Sequence, residues 1–127
     1  MPAPKGISLL VENNGWLSTD PDAIPTIVKQ VGRGIAAQPD TGNWKPETRE
    51  AGLAKAFPLA ATCDFKAMQF QPDGSHKEYD LERCFRIGWE AGFRGPWCFE
   101  HFNKTLDGLW QGFAQLRDLL TKWMKTA

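Results

Sequence analysis

The chain has 127 residues, and its 15 Lys+Arg balance 15 Asp+Glu, so no overall field draws it to nucleic acid or to an anionic membrane surface. That length is one ordinary domain, able to bury roughly two-thirds of the surface that the unfolded chain exposes. Cys63, Cys84 and Cys98 show neither CxxC spacing nor a Cys/His cluster, which argues against a disulfide framework or structural zinc and reads them as buried small hydrophobes in a reducing cytoplasm.

Met1-Pro2-Ala3-Pro4-Lys5 has no apolar signal core, and no later run approaches the ~20 residues of a membrane span, so a soluble, unprocessed protein is expected. The first apolar run, 7–11, lacks clean polar alternation, as a parallel strand packed under helices should. Asp20 then reads as an N-cap with Pro21 at N1, and Ile24, Ile27, Val28 and Val31 recur at helical spacing up to Gly32. A second short run, 34–37, precedes a helix over 48–57, which Gly52 weakens and Pro58 ends.

A third run, 60–63, leads through the turn chemistry of Gln71-Pro72-Asp73-Gly74-Ser75 to a helix capped by Asp80 and ending at Ala91-Gly92. The fourth run, 96–99, precedes the clearest helix, in which Leu106, Leu109, Trp110, Phe113, Leu116, Leu120 and Trp123 form one apolar stripe expected to lie on the core. The pattern is a βα unit repeated four times, an α/β fold with a parallel sheet.

Each predicted strand runs into an acid at or just past its C-terminal end: Glu12, Asp40, Asp64 and Glu100. Parallel strands place those four carboxyls on one rim, where the βα loops of a barrel build active sites. Counting back by twos from the acids turns Leu10, Gln38, Ala36, Thr62 and Cys98 inward, and Val11, Ile35, Cys63 and Phe99 toward the helices. Converging carboxylates repel one another unless a cation joins them, and an all-oxygen set suits Mg²⁺ or Mn²⁺. Lys66 is expected to point into the rim beside Asp64, where it could hold a substrate hydroxyl or phosphate, and Trp16 and Trp44 lie in predicted rim loops. His101 alternates away from Glu100, and His76 is read as solvated.

Leu9-Leu10-Val11-Glu12-Asn13-Asn14-Gly15 resembles the fifth-strand motif of the xylose-isomerase-like (β/α)8 barrels, a family of metal-dependent sugar isomerases and epimerases. Gln38-Pro39-Asp40-Thr41-Gly42-Asn43 is similar to that family's sixth-strand Asp-Thr-Gly-His pattern, Asp64-Phe65-Lys66 falls at its seventh-strand His-x-Lys, and Phe99-Glu100 resembles its eighth-strand glutamate. Asp73-Gly74 and Glu90-Ala91-Gly92-Phe93-Arg94-Gly95 are similar to its loop and its last helix-to-strand connection. The resemblance covers nearly the whole chain and implies the C-terminal half of such a barrel.

That resemblance implies Glu12, Asp40, Asp64 and Glu100 as metal ligands, Glu12 and Glu100 as the acid/base pair, and Lys66 and Asn43 as substrate contacts. Asn14 and Trp16, in the loop after the first strand, are expected as further substrate contacts, Trp16 by stacking on a sugar face. The expected reaction is isomerisation or epimerisation of a small sugar or sugar phosphate through an enediolate. Asp64 and Asn43 stand where the family carries histidine, and the first four βα units are outside this chain, which implies weak activity at most. Alternatives are a non-catalytic half-barrel or assembly module, or an endonuclease-IV-like phosphodiesterase, which two histidines and zero net charge disfavour. Half a barrel leaves two strand edges and an inner face open, so a homodimer that completes or covers it is expected.

Overall fold

A computed structural model describes residues 6–71 and 73–127, so the reading of Met1 to Lys5, and Pro72 of the turn, lie outside the described residues. The elements alternate as the apolar pattern requires. Strands are β1 (Leu9–Glu12), β2 (Ile35–Gln38), β3 (Cys63–Lys66) and β4 (Trp97–Glu100); helices are α1 (Ala23–Val31), α2 (Arg49–Ala56), α3 (Leu81–Glu90) and α4 (Leu106–Thr126).

β1 pairs with β2 in parallel, Glu12 opposite Gln38, and β3 pairs with β4 in parallel, Lys66 opposite Glu100. The two ladders are joined by isolated parallel bridges, Ala37 to Ala60 and Asp40 to Asp64. Pro39 lacks an N–H, so at that point only its carbonyl serves, accepting from Asp64 N at 2.9 Å. The result is a mixed α/β fold of small parallel sheets with four helices.

The third strand differs from the expectation of 60–63. A 3-10 turn, Phe57–Leu59, prolongs the end of α2, and pairing with β4 starts only at Cys63. Asp64 is therefore the second residue of its strand, not one just beyond it, and Lys66 holds the strand end. The first helix also starts later, with Asp22 at the N-cap, while the Asp20 carboxylate accepts from Asp22 N at 2.9 Å in the preceding turn. Asp80 caps α3 as expected, accepting from Arg83 N, and Gly92 ends that helix at φ 84°.

Alternation sorts the strand side chains. Cys63 and Phe65 are buried beneath the helices while Asp64 and Lys66 stay half-buried, and in β4 Cys98 and Glu100 are exposed on the other face. Cys98 corrects the expectation of three buried cysteines, because no element among the described residues covers the inner face of β4. One core cluster packs Ile24, Val28, Ala37, Leu53 and Phe57 under α1 and α2. The other packs Phe65, Phe85, Leu116, Leu120 and Trp123 between β3, α3 and α4. The rings of Phe65 and Trp97 meet edge to face at 5.5 Å beside both clusters.

The stripe on α4 is core only in its second half: Leu116, Leu120 and Trp123 are buried, whereas Leu106 and Trp110 are 65% and 61% exposed. Among the described residues no helix is long and apolar enough to cross a membrane.

Candidate metal centre

Where β1 ends, the ladder is continued by a side chain. The Asn13 amide is fully buried and spans to Asp40 in two directions, donating from Nδ2 to Asp40 O at 3.1 Å and accepting at Oδ1 from Asp40 N at 2.7 Å. This pair mimics two rungs of a sheet and fixes the backbone of Asp40. The Asp40 carboxylate then folds back on its own turn, Oδ1 accepting from Gly42 N at 2.6 Å and Asn43 N at 2.9 Å. Its Oδ2 faces Lys66 Nζ at 3.5 Å.

Glu12, Asp40 and Asp64 thereby each offer a carboxylate oxygen within 4.8 Å of the others. Gln38 Nε2 steadies Asp64 Oδ2 at 2.6 Å, and Asn43 Nδ2 steadies Glu12 Oε1 at 2.8 Å. Glu100 stands outside that trio, bound through Oε1 to Lys66 Nζ at 2.8 Å, while the same Nζ donates to Asn43 Oδ1 at 3.0 Å. Lys66 is thus the bridge between the trio and Glu100.

Burial first, and neighbouring like charge second, disfavour the ionised carboxyls of this cluster. Burial pushes the Asp40 carboxyl up to about 7, although Lys66 and the N–H groups of Gly42 and Asn43 pull the other way. Burial, and then the charge of Asp64, raises Glu12 as well. Burial alone would lower Lys66, but its hydrogen bond to Glu100 and the charges of Asp40 and Glu100 hold it above the usual ammonium value. The donor set is all oxygen, preorganised by neighbours and partly open, which fits a hard divalent cation such as Mg²⁺ or Mn²⁺.

No protein-family model matches this chain, and no curated protein does.

The other residues named from the sequence divide. Asn43 and Lys66 belong to the cluster, whereas Asn14 and Trp16 are exposed in the turn after β1 and make no side-chain hydrogen bond to it among the described residues. Trp44 is buried, its ring filling the space where a Cβ on Gly52 would lie 2.5 Å from it, so that glycine serves packing against α2. His101 turns away from the site, its Nδ1 2.6 Å from Ala67 O. His76 is half-buried, not solvated as read from the sequence: its ring meets Tyr79 at 4.2 Å, and burial holds its pKa below the usual imidazole value.

Gln38 points toward the acids as its strand alternation predicts, whereas Asn13, Thr41 and Tyr79 are supporting residues that sequence reasoning passed over. Thr41 Oγ1 accepts from Lys66 N at 2.9 Å and the Tyr79 hydroxyl donates to Lys66 O, so the backbone of Lys66 is held from both sides. Gly42 leaves room for its stem, since a Cβ there would lie 2.7 Å from Lys66 Cδ and 2.9 Å from the Tyr79 hydroxyl. Gly42→Ala should therefore displace the Lys66 ammonium from Asp40 and Glu100 while costing about 1–3 kcal/mol of stability. Urea unfolding and the NMR shift of the Lys66 Nζ measure both; an unmoved Lys66 signal would contradict this packing.

Proposed function

We propose that this chain is half of a (β/α)8 barrel and works as a metal-dependent sugar isomerase or epimerase site, for a small keto- or aldo-sugar or its phosphate. The observation that carries the reading is the trio Glu12, Asp40 and Asp64, joined through Lys66 to Glu100 along one side of parallel strands. The order of the acid-bearing motifs, and their resemblance to the xylose-isomerase-like family, support it further. Asp64 offers a carboxylate where that family carries histidine, which keeps an oxygen donor set and favours Mg²⁺ or Mn²⁺ over softer ions.

When bound at the trio, such a cation supplies Lewis-acid polarisation of a carbonyl and its neighbouring hydroxyl. Glu12, the carboxylate at the end of β1, takes the proton from the carbon beside the carbonyl. The electron pair of that C–H bond moves into the enediolate. The proton on Glu12 returned to the adjacent carbon, with the hydroxyl proton passing between the two substrate oxygens, gives the isomer. A proton delivered to the opposite face from the Lys66 ammonium through Glu100 gives the epimer, after which Glu12 loses its proton to water and Lys66 regains one. Lys66 orients a hydroxyl or phosphate between Asp40 and Glu100.

Incubation of the chain with Mn²⁺ and a panel of ketoses in D₂O, followed by NMR, tests the reaction class. Slow exchange of the hydrogen beside the carbonyl is expected, lost on adding a chelator and in Glu12→Gln. Exchange no faster than buffer alone, or unchanged in Glu12→Gln, would overturn the assignment and favour a non-catalytic half-barrel.

A further inference from the structure

β1 and β4 are the outer strands, each paired on one side only among the described residues. Large apolar side chains gather at both ends of this row: Ile7, Leu9 and Trp16 around β1, and Phe102, Leu106 and Trp110 after β4, all more than 60% exposed. With roughly 150–250 Å² for each aromatic side chain and about 60–120 Å² for each aliphatic one, these six leave on the order of 600 Å² of apolar surface per copy in two groups, near the lower end of what each partner gives to a standard specific interface. Each apolar group lies beside an unpaired parallel edge, and such an edge is a template for another strand.

We propose that two copies of this chain close into one eight-stranded parallel ring, the β4–α4 edge of each docking on the β1 edge of the other about a two-fold axis along the strands. Polarity selects this pairing. A two-fold axis lying across the strands would set β1 against β1 of the partner in antiparallel fashion and leave Leu106 and Trp110 in water. Covering the inner faces would leave both edges open. The ring alone pairs all four edges and buries both apolar groups, in two equal seams. The open inner face of one copy, with its carboxylate trio, then becomes half the wall of a shared chamber. This assembly stands or falls independently of cation binding and sugar chemistry.

Light scattering on the full chain should give twice the 14.3 kDa of one copy at micromolar concentration. Hydrogen exchange at rising concentration should protect Leu9–Glu12 and Trp97–Glu100 together. Trp110→Asp and Leu9→Asp alter residues that water already reaches in one copy, so each should keep its circular dichroism and weaken dimerisation at least tenfold. A 14.3 kDa monomer throughout would overturn the proposal, as would a dimer that protects only one of the two strands or is indifferent to both substitutions.

Discussion

Mn²⁺ should bind the purified chain near neutral pH, and Asp40→Asn should weaken that binding by on the order of a hundredfold. Loss of a supporting partner alone costs a metal site roughly ten- to a hundredfold, and Asp40 is both a donor and the group that Asn13, Gly42 and Asn43 hold in place. The pH dependence follows from burial, which raises the Asp40 carboxyl from 3.8 to about 7. Without cation the folded chain holds that proton more tightly than the unfolded one, so stability from this group is present below the ordinary carboxylate value and is lost as pH rises through about 7.

Melting temperature in chelator should therefore fall between about pH 4 and pH 7 and level off above, and Asp40→Asn should flatten that slope. A cation must displace the same proton, so affinity should rise over this interval and calorimetry in two buffers should detect proton release. Binding that is independent of pH, or equal in Asp40→Asn, would remove Asp40 from the site.

Phe65→Ala should cost about 3–5 kcal/mol, a large part of the roughly 5–15 kcal/mol that holds an ordinary domain together. Phe65 has no exposed surface and touches the rings of Trp97, Phe99 and Trp123 at centroid distances of 5.5, 6.5 and 6.3 Å. Its removal leaves a cavity among large aromatic rings that cannot all collapse into it. Because Phe65 lies between Asp64 and Lys66 on β3, the loss should also loosen the cluster and lower Mn²⁺ affinity. Urea unfolding measures the first effect, with exposed Gln111→Ala as a control expected within about 0.5 kcal/mol of wild type. A cost for Phe65→Ala below about 1 kcal/mol would mean that the second core cluster is not where the stability resides.

The mixed α/β character and the order of elements were legible because apolar runs alternate with helical spacing, and because Asp80 and Gly92 mark the ends of α3 through local chemistry. The third strand was misplaced by three residues because its limits depend on a neighbour. The 3-10 turn after α2 and the register with β4, which first pairs at Cys63 opposite Trp97, decide where the strand begins, and neither lies within residues 60–66 themselves.

Glu12, Asp40 and Asp64 lie together although only Glu12 ends its strand: Asp64 is the second residue of β3 and reaches Asp40 through the bridge between their segments. Glu100 falls in with Lys66 because an ammonium on the neighbouring strand end, directly opposite in register, offers it a closer partner. Asn13 escaped notice because strand alternation turns it away from Glu12. β1 stops at Glu12, however, and beyond that point the Asn13 side chain replaces the backbone ladder. The exposed Leu106 and Trp110 could not be told from core by periodicity, since an exposed apolar helix face and a covered one carry the same pattern.

Anomalous diffraction from crystals of the chain grown with Mn²⁺ tests the cation site most directly. The expected result is a strong peak bounded by carboxylate oxygens of Glu12, Asp40 and Asp64 at about 2.1–2.3 Å, with Lys66 shifted toward Glu100. A peak elsewhere, or none at millimolar Mn²⁺ with the Lys66 to Asp40 contact intact, would contradict it.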